Sequence, residues 1–190
     1  MKKLLLAGCV ALLAAGAIVT VALAHGGNGT KSVRADLEGF QEAPSISTQA
    51  HGEIKVRVNG SSIKYELRYS DFSSEVLFAH IHLGQEGVNG GVAAFLCGGG
   101  KPACPQGSGT VTGTITADDV QEIPLQGLAK KDIGALIRTL KAGYTYANVH
   151  SKDFDKGEIR GQIGDDDFDG DHHHNGGRGK HDRDHDEDDD

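Results

Sequence analysis

Only three of the 190 residues are cysteine, and one of them, Cys9, lies in the apolar run near the start of the chain. Cys97 and Cys104 remain, too few for a metal held by thiolates alone, because two thiolates leave a tetrahedral ion half-coordinated. No nucleophile elbow, phosphate-cradling glycine loop or metalloprotease helix motif occurs, so none of the common hydrolase or nucleotide-binding chemistries is signalled. A basic patch is missing too. Residues 25–164 hold 15 Asp or Glu against 14 Lys or Arg, and an acidic tail adds repulsion, which argues against nucleic acid as a partner. No internal repeat is present.

The N-terminus has the layout of a secretory signal: Lys2 and Lys3, an apolar run over residues 4–23, then Ala22 and Ala24 in an A-x-A pattern. Cleavage after Ala24 is expected, which places the protein outside the cell or in the periplasm. About 20 apolar residues are also enough to span a bilayer, so an uncleaved anchor is the alternative and the one route to a membrane association. Leu6-Ala7-Gly8-Cys9 spells a lipoprotein-like box, but almost no apolar residues precede Cys9. In an oxidising compartment the default reading of Cys97 and Cys104 is a disulfide, closed over a Gly-rich loop.

Residues 31–164 read as one domain of short strands punctuated by Gly, Asn and Ser. Alternation marks strands at 33–37, 52–58, 62–69, 76–83, 92–96, 109–115, 145–149 and 158–163. Asn59-Gly60 between two alternating runs signals a hairpin. One helix is expected over 130–141, where Ile133, Leu136, Ile137 and Leu140 recur at helical spacing, and Gly143 would end it. The pattern predicts an all-β, antiparallel β-sandwich with one short helix.

Chemistry concentrates in two of these strands. In Ala79-His80-Ile81-His82-Leu83 the two imidazoles share one face, and in Tyr146-Ala147-Asn148-Val149-His150 the same arithmetic puts Asn148 beside His150. Glu158, Arg160 and Gln162 share a face of the last strand. Placed in one sheet, these strands give an outer polar face over an apolar inner one. His80, His82 and His150 are the candidate ligands, with Zn or Cu suited to nitrogen-rich coordination and Asn148, Glu158 and Arg160 auxiliary. Two other readings stay open: a hydrogen-bonded network that locks the strands in register, with Glu158 and Arg160 a surface ion pair, and a contact surface for a partner. The loop at 85–91 starts where the two histidines end. His51 is expected to be merely exposed.

Four motifs in order, Leu37-Glu38-Gly39-Phe40-Gln41-Glu42-Ala43-Pro44, Ala79-His80-Ile81-His82-Leu83-Gly84, Asn148-Val149-His150 and Gly157-Glu158-Ile159-Arg160-Gly161-Gln162-Ile163, make residues 31–164 resemble the CHRD domain, the family named for chordin. The resemblance implies an immunoglobulin-like sandwich, distantly similar to copper/zinc superoxide dismutases, and implies no activity. With no histidine between His82 and His150, the bridging and zinc ligands of those dismutases have no counterpart, so dismutase chemistry is disfavoured. The resulting expectation is a non-catalytic, extracytoplasmic binding module for a divalent metal. Its alternative is a module for an extracytoplasmic protein or polysaccharide, as in the larger chordin.

Residues 25–30 read as a linker, and 165–190 as an acidic, disordered tail with 12 Asp or Glu against 3 Lys or Arg. His172, His173, His174, His181 and His185 lie in that tail, a composition suited to weak binding of several ions.

Overall fold

The computed structural model describes residues 32–164. The expected signal segment, the linker and the His/Asp-rich tail lie outside them. Eight strands and one helix follow in the order β1 (Ser32–Glu38), β2 (His51–Asn59), β3 (Ser62–Ser70), β4 (Val76–Leu83), β5 (Val92–Cys97), β6 (Gly109–Ile115), α1 (Ile133–Lys141), β7 (Thr145–Ser151) and β8 (Ile159–Ile163). All the strands expected from alternation are present. The last begins one residue late, because Glu158 lies before β8 rather than in it.

The strands form one antiparallel sheet in the order β5-β4-β7-β8-β1-β2-β3-β6. Its two halves of four strands are joined through β1 and β8 by a single register pair, Glu38↔Arg160. The sheet curls so that its end strands β5 and β6 approach each other, nearly closing a barrel around one core. The expected all-β antiparallel fold with one short helix is present, as one continuous curled sheet rather than two separate ones.

Alternation builds that core. Val33, Ala35 and Leu37 of β1 point inward, as do Ile54 and Val56 of β2, Ile63 and Leu67 of β3, Ala79 and Ile81 of β4, Ala147 and Val149 of β7, and Ile159 and Ile163 of β8. Burying each of the larger side chains stabilises the fold by about 1.5–3 kcal/mol relative to leaving it in water. The Tyr65 hydroxyl crosses from β3 to donate to the Leu96 carbonyl of β5 at 2.8 Å, satisfying a polar tip inside an apolar layer.

Two local details differ from the sequence expectation. The β2–β3 register pairs Asn59 with Ser62, so the two-residue loop is Gly60-Ser61 and Asn59 closes the strand. Gly60 supplies the left-handed φ of 58° that the turn needs. Helix α1 starts at Ile133 rather than at residue 130. Lys131 has φ 66°, a left-handed step no helix can run through, and Asp132 caps the end by accepting from the Ala135 amide at 2.8 Å. Leu136 and Leu140 are its fully buried residues. Cys97 and Cys104 form the expected disulfide, with Cα atoms 5.1 Å apart. Among the described residues no helix is long and apolar enough to cross a membrane.

Candidate metal centre

Strands β4 and β7 lie side by side, flanked by β5 and β8. Their register sets Phe78 against His150, His80 against Asn148 and His82 against Tyr146. These six side chains therefore share one face of the sheet, as the period-two pattern requires. Strand β8 brings Arg160 alongside Asn148 and Gln162 alongside Tyr146. Phe95 comes from β5 opposite His80.

This face was expected to be the outer one, and it is not. His80, His82 and His150 are only 6, 7 and 6% exposed. The cover is the 85–91 loop, which folds back over the sheet. Arg160 holds it, donating to the Gln85 and Val88 carbonyls at 3.0 and 2.9 Å and to Asn89 Oδ1 at 3.3 Å. The Gly90 amide donates to the Tyr146 hydroxyl at 3.2 Å. Asn89 reaches the other way, donating to the Ala43 carbonyl at 2.7 Å. A Cβ at Gly90 would run into the Leu83 carbonyl, so the return path needs glycine there. Alternation identifies which residues share a face, but only the loop decides whether that face meets water.

Aromatic rings wall the cluster. Phe95 meets His80 edge-on at 4.5 Å between ring centres, and Phe78 stacks on His80 at 5.5 Å. Tyr146 lies parallel to His82 at 4.7 Å, with the Arg160 guanidinium carbon 3.4 Å over its ring centre on the same stack. Cation–π attraction stabilises a charge that has no carboxylate bonded to it.

The hydrogen bonds fix the imidazole tautomers. His150 donates from Nδ1 to the Asp155 carbonyl at 3.0 Å, and His82 donates from Nδ1 to the Gly90 carbonyl at 3.0 Å. Both rings then carry a lone pair at Nε2. A backbone carbonyl on the far nitrogen is the arrangement that orients and strengthens a metal-binding imidazole. His80 Nδ1 lies 3.2 Å from His150 Nε2, within hydrogen-bond distance. The three rings offer ligand atoms within 4.8 Å of one another, so the cluster is able to hold a metal ion. His80 Nε2 and His82 Nε2 are buried with no hydrogen-bond partner. Such orphans are rare in folded proteins and call for an explanation.

Electrostatics point the same way. Burial pushes His80 down to about 3 and His82 down to about 4, with the neighbouring imidazoles adding to the effect. Burial also lowers His150, against the opposing pull of the Asp155 carbonyl. All three rings are neutral at physiological pH, the state in which imidazole binds a metal.

Two of the auxiliary residues behave differently from expectation. Glu158 does not join the histidine face and makes no ion pair with Arg160. Its fully buried carboxylate accepts from Thr48 Oγ1 at 2.6 Å and from Ser151 Oγ. Ser151 alternates with His150 on β7, so Glu158 serves the opposite side of the strand. Arg160 is a buried anchor for the covering loop rather than half of a surface pair. Asn148 is where alternation placed it, with Oδ1 3.0 Å from His150 Nε2.

The carboxylate that does reach the cluster is Glu42, which sequence reasoning missed. It is 7% exposed, and burial raises it from 4.5 to about 7, against the lowering influence of Arg160. Glu42 follows a short 3-10 turn at Gly39–Gln41 that swings the chain off β1. No periodicity marks it; the motif from Leu37 to Pro44 was the one signal available. His51 is exposed as expected, next to Ser70 and Asp71. The five tail histidines lie outside the described residues.

The family model described as CHRD domain matches residues 33–163. No curated protein and no solved structure matches the chain.

Proposed function

The chain belongs to the CHRD domain family, and from that premise we propose that it is an extracytoplasmic, non-catalytic module that binds one divalent ion, Zn or Cu, through His80, His82 and His150. One observation carries the reading: three buried, neutral imidazoles face one another, and two of their Nε2 atoms have no partner. A purely structural network would be expected to satisfy those atoms, since an unpaired buried polar group costs about 1–3 kcal/mol. An ion converts the same lone pairs into bonds. The disulfide supports an oxidising location.

Metal per chain decides the matter. The full chain, with the five tail histidines replaced by serine, is exposed to Zn or Cu, desalted and analysed for bound metal. One ion per chain, lost on His82→Ala, is the expected result; a metal-free protein would sink the proposal.

A second reading takes the domain as a contact module for an extracytoplasmic protein or polysaccharide. Phe40, Leu125 and Tyr144, at 70, 101 and 56% exposure, favour it. Partner binding that persists in chelator and is lost on Leu125→Ser would support this reading.

A further inference from the structure

Asn148 makes a contact that the hydrogen bonds around it do not explain. Its Oδ1 lies 3.0 Å from His150 Nε2, while the same ring already gives its Nδ1 proton to the Asp155 carbonyl. A neutral imidazole with its proton on Nδ1 presents a lone pair at Nε2. The contact therefore sets acceptor against acceptor.

Turning the amide over does not help, because of what lies at its other end. Asn148 Nδ2 and Glu42 Oε1 both crowd the point where a Cβ on Gly157 would stand. Gly157 has φ 130°, and its bare Cα is what lets the two groups approach. Glu42 Oε1 is buried with no well-formed hydrogen bond, and the amide is the donor that faces it. With Glu42 ionised, a reversed amide would set its oxygen against the carboxylate oxygen and move the conflict from one end to the other. Glu42 thus keeps the amide nitrogen on its own side and the amide oxygen among the imidazoles.

An amide oxygen and imidazole lone pairs that crowd together repel unless a cation lies between them. We propose that Asn148 is the fourth ligand of the histidine site, through Oδ1, and that Glu42 is the residue that positions it. This rests on the reading of His80, His82 and His150 as ligands. The donor set becomes three nitrogens and one neutral oxygen, which suits Zn(II) and disfavours Cu(I), an ion that prefers thiolate or thioether sulfur. Four protein ligands also make a closed site, the pattern of a binding or structural ion rather than of one that keeps a position open for substrate. The ligands bring no charge of their own, so the Glu42 carboxylate behind the amide would offset part of a dication's charge.

The test uses the full chain with the five tail histidines replaced by serine, loaded with Co(II) as a spectroscopic stand-in for Zn(II). The unsubstituted site is expected to give intense tetrahedral visible bands. Asn148→Ala should weaken Co(II) binding at least 10-fold and change the bands, whereas Asn148→Asp should keep them and bind more tightly. Glu42→Leu should weaken binding about 10-fold, the order seen when a group that orients a ligand is removed, and Glu42→Gln, whose amide oxygen still accepts from Nδ2, should restore it. A reading that needs no variant to fold is the carbonyl 13C resonance of the Asn148 side chain, which should shift when Zn(II) is added. Wild-type Co(II) affinity and bands in Asn148→Ala, or an unmoved carbonyl resonance in protein that has taken up Zn(II), would overturn the assignment while leaving the histidine site standing. Failure of the unsubstituted chain to take up any Co(II) would overturn the histidine site and this ligand with it.

Discussion

His80 and His150 meet diagonally across the β4–β7 ladder, with Nδ1 of the first 3.2 Å from Nε2 of the second, although their register partners are Asn148 and Phe78. The diagonal brings together two rings, one of which has already committed its proton elsewhere. His150 has given its Nδ1 proton to the Asp155 carbonyl, so His80 must supply the proton in this contact. That leaves His80 Nε2 as a buried lone pair with no donor.

Metal-free protein should lose stability in acid. Burial holds His80 at about 3 and His82 at about 4, and lowers His150, from an unfolded value of 6.5. Below 6.5 the unfolded chain takes up protons that the folded one resists, so this contribution is complete above 6.5 and is lost as pH falls towards 4. Glu42 acts in the opposite sense. Its folded carboxyl rises from 4.5 to about 7, so its contribution is complete below 4.5 and is lost as pH rises through 7. Three imidazoles outweigh one carboxyl. Each engaged imidazole adds a slope of about 1.4 kcal/mol per pH unit, and urea midpoints at pH 7.5 and 5 should show a net fall. His82→Gln should flatten that slope; parallel slopes would count against a neutral, buried His82.

Metal should act as a folding ligand. At 100 times its dissociation constant, a Zn ion that binds only the folded chain adds about 2.7 kcal/mol of stability. Thermal unfolding of the chain carrying serine at the tail positions should move up by several degrees with Zn and return with chelator. In His82→Ala the shift should vanish; an undiminished shift there would place the ion elsewhere.

Arg160→Lys should loosen the cover over the site. Lysine keeps the charge but loses the planar stack on Tyr146 and the fork that reaches Gln85, Val88 and Asn89. A cost of about 3 kcal/mol is expected from the lost charge-assisted bonds. Amide hydrogen exchange at Val88 and Gly90 should accelerate by a larger factor than in β3. Uniform acceleration would mean that Arg160 supports the fold generally rather than the loop.

Replacing Cys97 and Cys104 together by serine should cost about 2 kcal/mol, as expected for a bridge that closes so short a loop. Denaturant midpoints on the two proteins measure it directly. An equal loss on adding reductant to the parent chain would assign the effect to the bridge rather than to the buried serines.

Much of this architecture was legible before any coordinates. Strand positions follow from alternation because a period of two is a local, steric property of extended chain. The disulfide followed from two cysteines around a glycine-rich loop. The three histidines were found by the same arithmetic, since residues 80, 82, 148 and 150 share faces whatever the strands pair with. The start of α1 differs because the apolar pattern begins only at Ile133 and does not mark Asp132 as the cap or Lys131 as a left-handed step. Glu158 was put on the wrong side because the strand it was assigned to begins one residue later, after the turn at Gly157.

The sequence by itself determined which residues form strands, which side chains share a face, and that one pair of strands carries imidazoles in register-compatible positions. These are short-range consequences of backbone geometry and the separation of apolar from polar side chains. Tertiary structure alone decided that the histidine face is buried, because that depends on a loop anchored by Arg160 from β8 and by Tyr146 from β7. It also decided which carboxylate serves the cluster. Glu42 lies over a hundred residues from Asn148 in the chain, and only the curl of the sheet and the bare Cα of Gly157 bring the two together.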